Sequence, residues 1–165
     1  MRKLLGVLVV FCILLGCKKK EETAQETETV NLEFQIQKMP SKLPINPEAT
    51  AIVRNWKEFS TFNVSIDVLY KATNNEDLSL AIDDLIEKEK KMAEGKYPEL
   101  FDTFQVKSRQ QVMKTYLYKV KASILENQET TQPTIEMLEA YNALRKQFNV
   151  IVNSQLDKEL ILDEN

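Results

Sequence analysis

The chain of 165 residues has no histidine, two cysteines, three glycines and one tryptophan. Each shortage removes a class of answer. Without histidine, the usual Ser-His and Cys-His nucleophile arrangements cannot be built. The Glu-x-x-His pattern of di-iron bundles and the Cys-x-x-Cys-His of a c-type haem are excluded too. Both cysteines, Cys12 and Cys17, fall at the start of the chain. Everything after them lacks the ordinary zinc ligands and any disulfide framework. The glycines are Gly6, Gly16 and Gly95. Tight β-hairpins depend on residues that accept positive φ, so one glycine after position 16 argues against a sandwich or barrel. Long helices need little glycine. The formal charge of −3 does not suit nucleic acid, which attracts basic surfaces.

What the chain does have is a distinctive beginning. Arg2 and Lys3 precede an apolar run from Leu4 to Leu15, which is followed by Gly16, Cys17 and three lysines. The run is too short to span a bilayer, which takes roughly 20 apolar residues. Its layout is that of a secretory signal. Leu14-Leu15-Gly16-Cys17 resembles the lipobox of bacterial lipoproteins. The resemblance implies a cut before Cys17, a diacylglyceryl group on its sulfur, and a membrane anchor through that acylated residue. Lys18-Lys19-Lys20-Glu21-Glu22 is similar to the export signal of some Bacteroidota surface lipoproteins. The implied location is the outer membrane, periplasmic or surface-facing. A cut there leaves 149 residues with a formal charge of −5.

The chain then divides by composition. Residues 1–16 are the signal, and residues 17–29, charged and without an apolar face, read as a disordered tether. Residues 30–46 are an extended segment. In it Val30, Leu32, Phe34 and Ile36 alternate with polar residues, the period of a half-buried strand, and Pro40, Pro44 and Pro47 keep the chain stretched. Residues 47–165 carry four amphipathic stretches.

Asn46-Pro47-Glu48 caps the first helix, expected to run to about Ala72 with Ile52, Trp56, Phe59, Ile66 and Tyr70 inward. Asn63 falls at the missing apolar step, either at a boundary or as a polar group setting register. The second helix follows Asn74 and ends at Gly95, burying Leu78, Ile82, Leu85 and Met92. Pro98 to Phe104 forms a turn closing one end of the core, and the third helix continues to about Glu126. The fourth starts near Pro133, capped by Thr131 or Gln132, with Met137, Tyr141, Leu144, Phe148 and Ile151 at alternating steps of four and three. Short connections between such helices predict an all-α, antiparallel up-down-up-down four-helix bundle.

Candidate chemistry is thin. Met92, Met113 and Met137 fill core gaps rather than ligate haem. Asp77, Asp83 and Asp84 lack calcium-loop spacing. No metal ligand set, catalytic residue or cofactor is expected. The open enzymatic route is a glycosidase built on two acids among Asp84, Glu87, Glu136 and Glu139. A ligand groove would be rimmed by polar-tipped residues near the helix seams, Arg109, Tyr116, Tyr141 and Arg145. The expected role is non-enzymatic: an anchored helical protein that binds an envelope protein partner, with a small-molecule binding protein as the alternative.

Overall fold

Trp56 decides the architecture. The computed structural model describes the backbone from residue 32 to residue 163 and side chains as far as residue 155. The run expected to make one helix over 47–72 makes two, α1 (Pro47–Asn55) and α2 (Lys57–Leu69). Between them Trp56 has φ −90° and ψ 92°, outside the helical region. Its N–H turns back to the Val53 carbonyl at 3.2 Å, and Ser60 Oγ donates to the same carbonyl at 3.1 Å. The indole is buried against Phe59, Tyr97 and Phe148, with ring centroids 5.6, 4.9 and 6.1 Å away. Truncating such a ring costs about 3–5 kcal/mol, even though the Trp56 Nε1 is buried without a hydrogen-bond partner among the described residues. The few backbone bonds lost at the break are worth about 1 kcal/mol each.

The four-helix expectation is therefore wrong in its count. Among the described residues five helices form, the others being α3 (Asn75–Glu94), α4 (Phe104–Leu125) and α5 (Thr131–Asp163). Periodicity alone could not show the break, because the apolar spacing continues across Trp56.

Local chemistry explains the ends. Asn46 and Asn74 accept from the N–H of Ala49 and Asp77 at 2.9 and 2.8 Å, as their sequence positions predict. The Glu129 carboxylate, rather than Thr131 or Gln132, receives the first N–H groups of α5. The α4 terminus closes on Asn127, whose φ of 50° is left-handed. Asn127 N–H reaches Ile124 O at 3.2 Å and Gln128 N–H reaches Ser123 O at 2.8 Å, the two bonds of a Schellman motif. Gly95 ends α3 for want of space rather than for its φ. A Cβ there would stand 3.0 Å from Glu58 Cγ and from Lys91 O.

Residue pairs show which helices adjoin. Lys88 meets Ser65 across α2 and α3, Lys121 meets Asp83 across α3 and α4, and Lys119 meets Glu136 across α4 and α5. The Phe59–Phe148 and Phe62–Tyr141 ring pairs join α2 to α5. The shared core includes Phe59, Ile66, Ile82, Leu85, Leu117, Val120, Tyr141 and Phe148. Phe101, in a single 3-10 turn, stacks on Phe148 at 4.6 Å and caps one end. Phe104, expected beside it, is instead 83% exposed.

The segment before α1 contains no strand among the described residues. It holds a 3-10 turn at Ile36–Lys38 and otherwise lies as an irregular strap. A strand needs a neighbouring strand edge, and α5 supplies side chains in its place. Gln35 N–H binds Thr131 Oγ1 at 3.1 Å and Leu43 N–H binds Asn142 Oδ1 at 2.8 Å. Asn46 N–H binds Asn149 Oδ1 at 2.9 Å. Asn142 and Asn149 return bonds to the carbonyls of Ser41 and Pro44, and Asn46 Nδ2 reaches Asn153. The partners on both segments rise together in number, so the strap runs parallel to α5. Tyr70 Oη fastens the Pro40 carbonyl from α2 at 2.6 Å.

Candidate functional site

Where the strap crosses from α5 to α1, it leaves a cleft of about 310 Å³. Lys42, Pro44 and Ile45 come from the strap, Val53 and Arg54 from α1, and Phe59, Ser60 and Asn63 from α2. Arg145 of α5 closes the wall. No aspartate or glutamate lines it.

Arg145 is the centre of this geometry. It is only 7% exposed and makes no ion pair among the described residues. Its Nε donates to the Leu43 carbonyl, and its Nη1 donates to Asn63 Oδ1 and Tyr141 Oη, each at 2.9 Å. Tyr141 Oη donates in turn to Asn63 Oδ1. Three of the five guanidinium N–H groups are thus engaged by neutral acceptors, and Nη2 has no partner among the described residues. Burying a cation without a counter-charge is costly.

The electrostatics follow from this packing. Burial pushes the Tyr141 hydroxyl up to about 12, against the opposing pull of the Arg145 cation. Burial also raises Tyr70, again opposed by Arg145 and aided by Asp67. Asp67 is the carboxylate acting on both tyrosines, and Lys42 already pairs with it. Arg54 is exposed and has no ion pair among the described residues. Beyond Arg54 and Ser60 lies a second concavity of about 390 Å³, also without an acid, which Lys57 and Lys88 enter.

Of the four groove residues predicted from sequence, the structure brings two together. Tyr141 and Arg145 lie one helical turn apart and share a hydrogen bond. Arg109 is exposed on α4, and Tyr116 lies half-buried with Lys119 5.8 Å above its ring. Of the four, Arg145 alone lines the cleft; Tyr141 lies behind it as its hydrogen-bond partner. Cys17 lies outside the described residues, as does the expected tether.

The candidate acids sit on two helices, Asp84 and Glu87 on α3 and Glu136 and Glu139 on α5. None lines the cleft. Burial works to raise the Asp84 carboxyl, but hydrogen bonds from Lys88 and Ser65 outweigh it and hold the group below its usual range. A general acid needs the opposite shift. Glu87 and Glu136 form ion pairs with Lys91 and Lys119. Among the described residues there is no cluster of metal-ligating side chains, and no helix is long and apolar enough to cross a membrane.

Sequence reasoning missed Lys42, Arg54 and the role of Asn63, together with the asparagines that hold the strap. A signal for the last was present. Asn142, Asn149 and Asn153 recur at steps of seven and four, on one helical face, although asparagine disfavours helix interiors. No family model, curated protein or solved structure matches this chain.

Proposed function

We propose that this chain is a lipid-anchored, non-catalytic binding protein of the bacterial envelope, taking a small ligand in the cleft between the strap and α1, α2 and α5. The observation that carries the ligand reading is Arg145, a buried cation of that cleft wall whose Nη2 has no partner among the described residues. Pockets of this kind pair an apolar wall with a few fixed polar groups. Val53 and Phe59 give the apolar wall here, and Asn63 and Arg145 the polar one. The anchor rests on the lipobox resemblance at Leu14-Leu15-Gly16-Cys17. Two or more acyl chains hold a protein stably on a membrane.

Two measurements test this reading. Metabolic labelling with a fatty-acid analogue should mark the chain and lose the mark on Cys17→Ala. An unlabelled chain that keeps its leader contradicts the anchor. A thermal-shift screen of charged and neutral small molecules should find stabilising ligands whose effect depends on the strap. A screen with no stabilising molecule contradicts the ligand site.

The partner-binding reading has one specific support. Phe104, Tyr118 and Leu125 are 83%, 51% and 69% exposed. At about 100° per residue they fall within roughly 60° of the α4 circumference. Photo-crosslinking from position 104 in intact cells should capture one defined envelope protein. Labelling of this chain alone counts against it.

A further inference from the structure

We infer that the cleft takes a small organic anion, its carboxylate or phosphate head on Arg145 and its body against Ile45, Val53 and Phe59. The inference deepens the ligand reading above and rests on it. Four observations converge. Arg145 has the burial of a core residue and the charge of a surface one, without a carboxylate to balance it. Its three engaged N–H groups hold the guanidinium still, and the unengaged Nη2 belongs to a residue of the cleft wall. Lys42 and Arg54 bring the number of cations on the wall to three, against no acid, in a chain whose acids outnumber its bases by 25 to 22. The neighbouring concavity repeats the pattern with Arg54, Lys57 and Lys88. Asp67 and Asp84 offset Lys42 and Lys88 from outside the walls, and Arg54, Lys57 and Arg145 make no ion pair among the described residues.

An anion is the chemistry that resolves this. A charge-assisted hydrogen bond from a desolvated guanidinium is among the stronger polar contacts available. A neutral or cationic ligand would leave Arg145 without a counter-charge and dry it further. The cleft volume is at the small end for ligand pockets, which suits a metabolite-sized molecule rather than a polymer.

Asn63 provides a variant that separates this inference from a merely structural role. Its Oδ1 accepts from both Tyr141 and Arg145. Asn63→Asp keeps that acceptor and adds the missing negative charge within the protein. Asp67→Asn does the reverse, releasing Lys42 to the cleft.

The test is calorimetric titration of the full chain in neutral detergent, alongside thermal unfolding. Benzoate and phenyl phosphate serve as anionic probes of the two head types. Benzamide and benzylamine are the neutral and cationic matches. At least one anion should bind saturably and raise the melting temperature, weakening with added salt. Arg54→Ala should lower that affinity about fivefold or more while the fold is kept. Asn63→Asp should melt higher than the native chain without ligand and lose anion binding. Asp67→Asn should bind the anion more tightly. Equal binding of benzamide would overturn the anionic assignment while leaving the cleft a ligand site. Failure of all four probes would overturn both. Unchanged anion binding by Asn63→Asp would place the anion elsewhere and sink the assignment to Arg145.

Discussion

Arg145 Nη1 donates to Asn63 Oδ1 at 2.9 Å, tying together residues 82 positions apart. The bond joins α2 to α5 through a polar group inside an otherwise apolar seam. Tyr141 makes the same acceptor do double service. Asn63→Leu would fill similar volume and leave a guanidinium and a phenol short of their partner. Unpaired buried groups of this kind cost about 2–5 kcal/mol. Urea unfolding should show a loss in that range with little change in slope. A loss under about 0.5 kcal/mol, ordinary for a surface site, would contradict the structural role of Asn63.

The strap hangs on side-chain amides. Asn142 and Asn149 each bind one N–H and one C=O of the strap. Asn142→Ala with Asn149→Ala should cost about 2–4 kcal/mol, four bonds at about 1 kcal/mol or less each. The helices lose nothing directly, since alanine favours helix. Hydrogen exchange should therefore quicken at Leu43 and Asn46 well before it quickens in α3 or α4, while helical circular dichroism persists. Equal acceleration across all helices would show that the strap is part of the global folding unit.

The Tyr141 hydroxyl titrates only near 12 in the folded chain, against an ordinary value of 10.0. Its folded value is raised, so its contribution is complete below pH 10 and is lost as pH climbs toward 12. The shift corresponds to on the order of 3 kcal/mol. Tyrosinate absorbance should show Tyr141 ionising only together with alkaline unfolding. Tyr141→Phe should lower stability at neutral pH, since it loses two hydrogen bonds, but lose less further stability between pH 10 and 12. An unchanged loss over that range would mean that other groups govern alkaline unfolding.

Asn127 adopts left-handed backbone in the Schellman motif that ends α4. Glycine reaches that conformation more cheaply than any other residue. Asn127→Gly should leave stability unchanged or raise it by up to about 1 kcal/mol, whereas Asn127→Val should lower it by about 1–2 kcal/mol. Thermal unfolding of the two variants distinguishes them. Equal melting temperatures would contradict the left-handed assignment.

The sequence made the helical class readable through its scarce glycine, its caps at Asn46 and Asn74, and apolar spacing such as Met137, Tyr141, Leu144 and Phe148. These are local signals, and they survive packing. The break at Trp56 was not readable, because it comes from tertiary burial of one ring against Tyr97 and Phe148. The alternation from Leu32 to Ile36 pointed to a strand, yet Phe34 is buried while Leu32 is 47% exposed. Helix side chains satisfied that backbone, which no period in the strap itself records. Arg145 and Tyr141 were visible as polar tips near a seam. Their partner Asn63 lies 78 residues before Tyr141, and single-sequence spacing carries no information at that range.

Nuclear magnetic resonance of the chain titrated with benzoate, reading the Arg145 Nε–H and the Asn63 side-chain amide, tests anion binding at Arg145 most directly. An anion seated on Arg145 should give saturable shifts at those two groups, with neighbours at Lys42, Arg54 and Ser60 following the same curve and α4 unaffected. Saturable shifts elsewhere with Arg145 and Asn63 unmoved, or no saturation at any site, would contradict that binding.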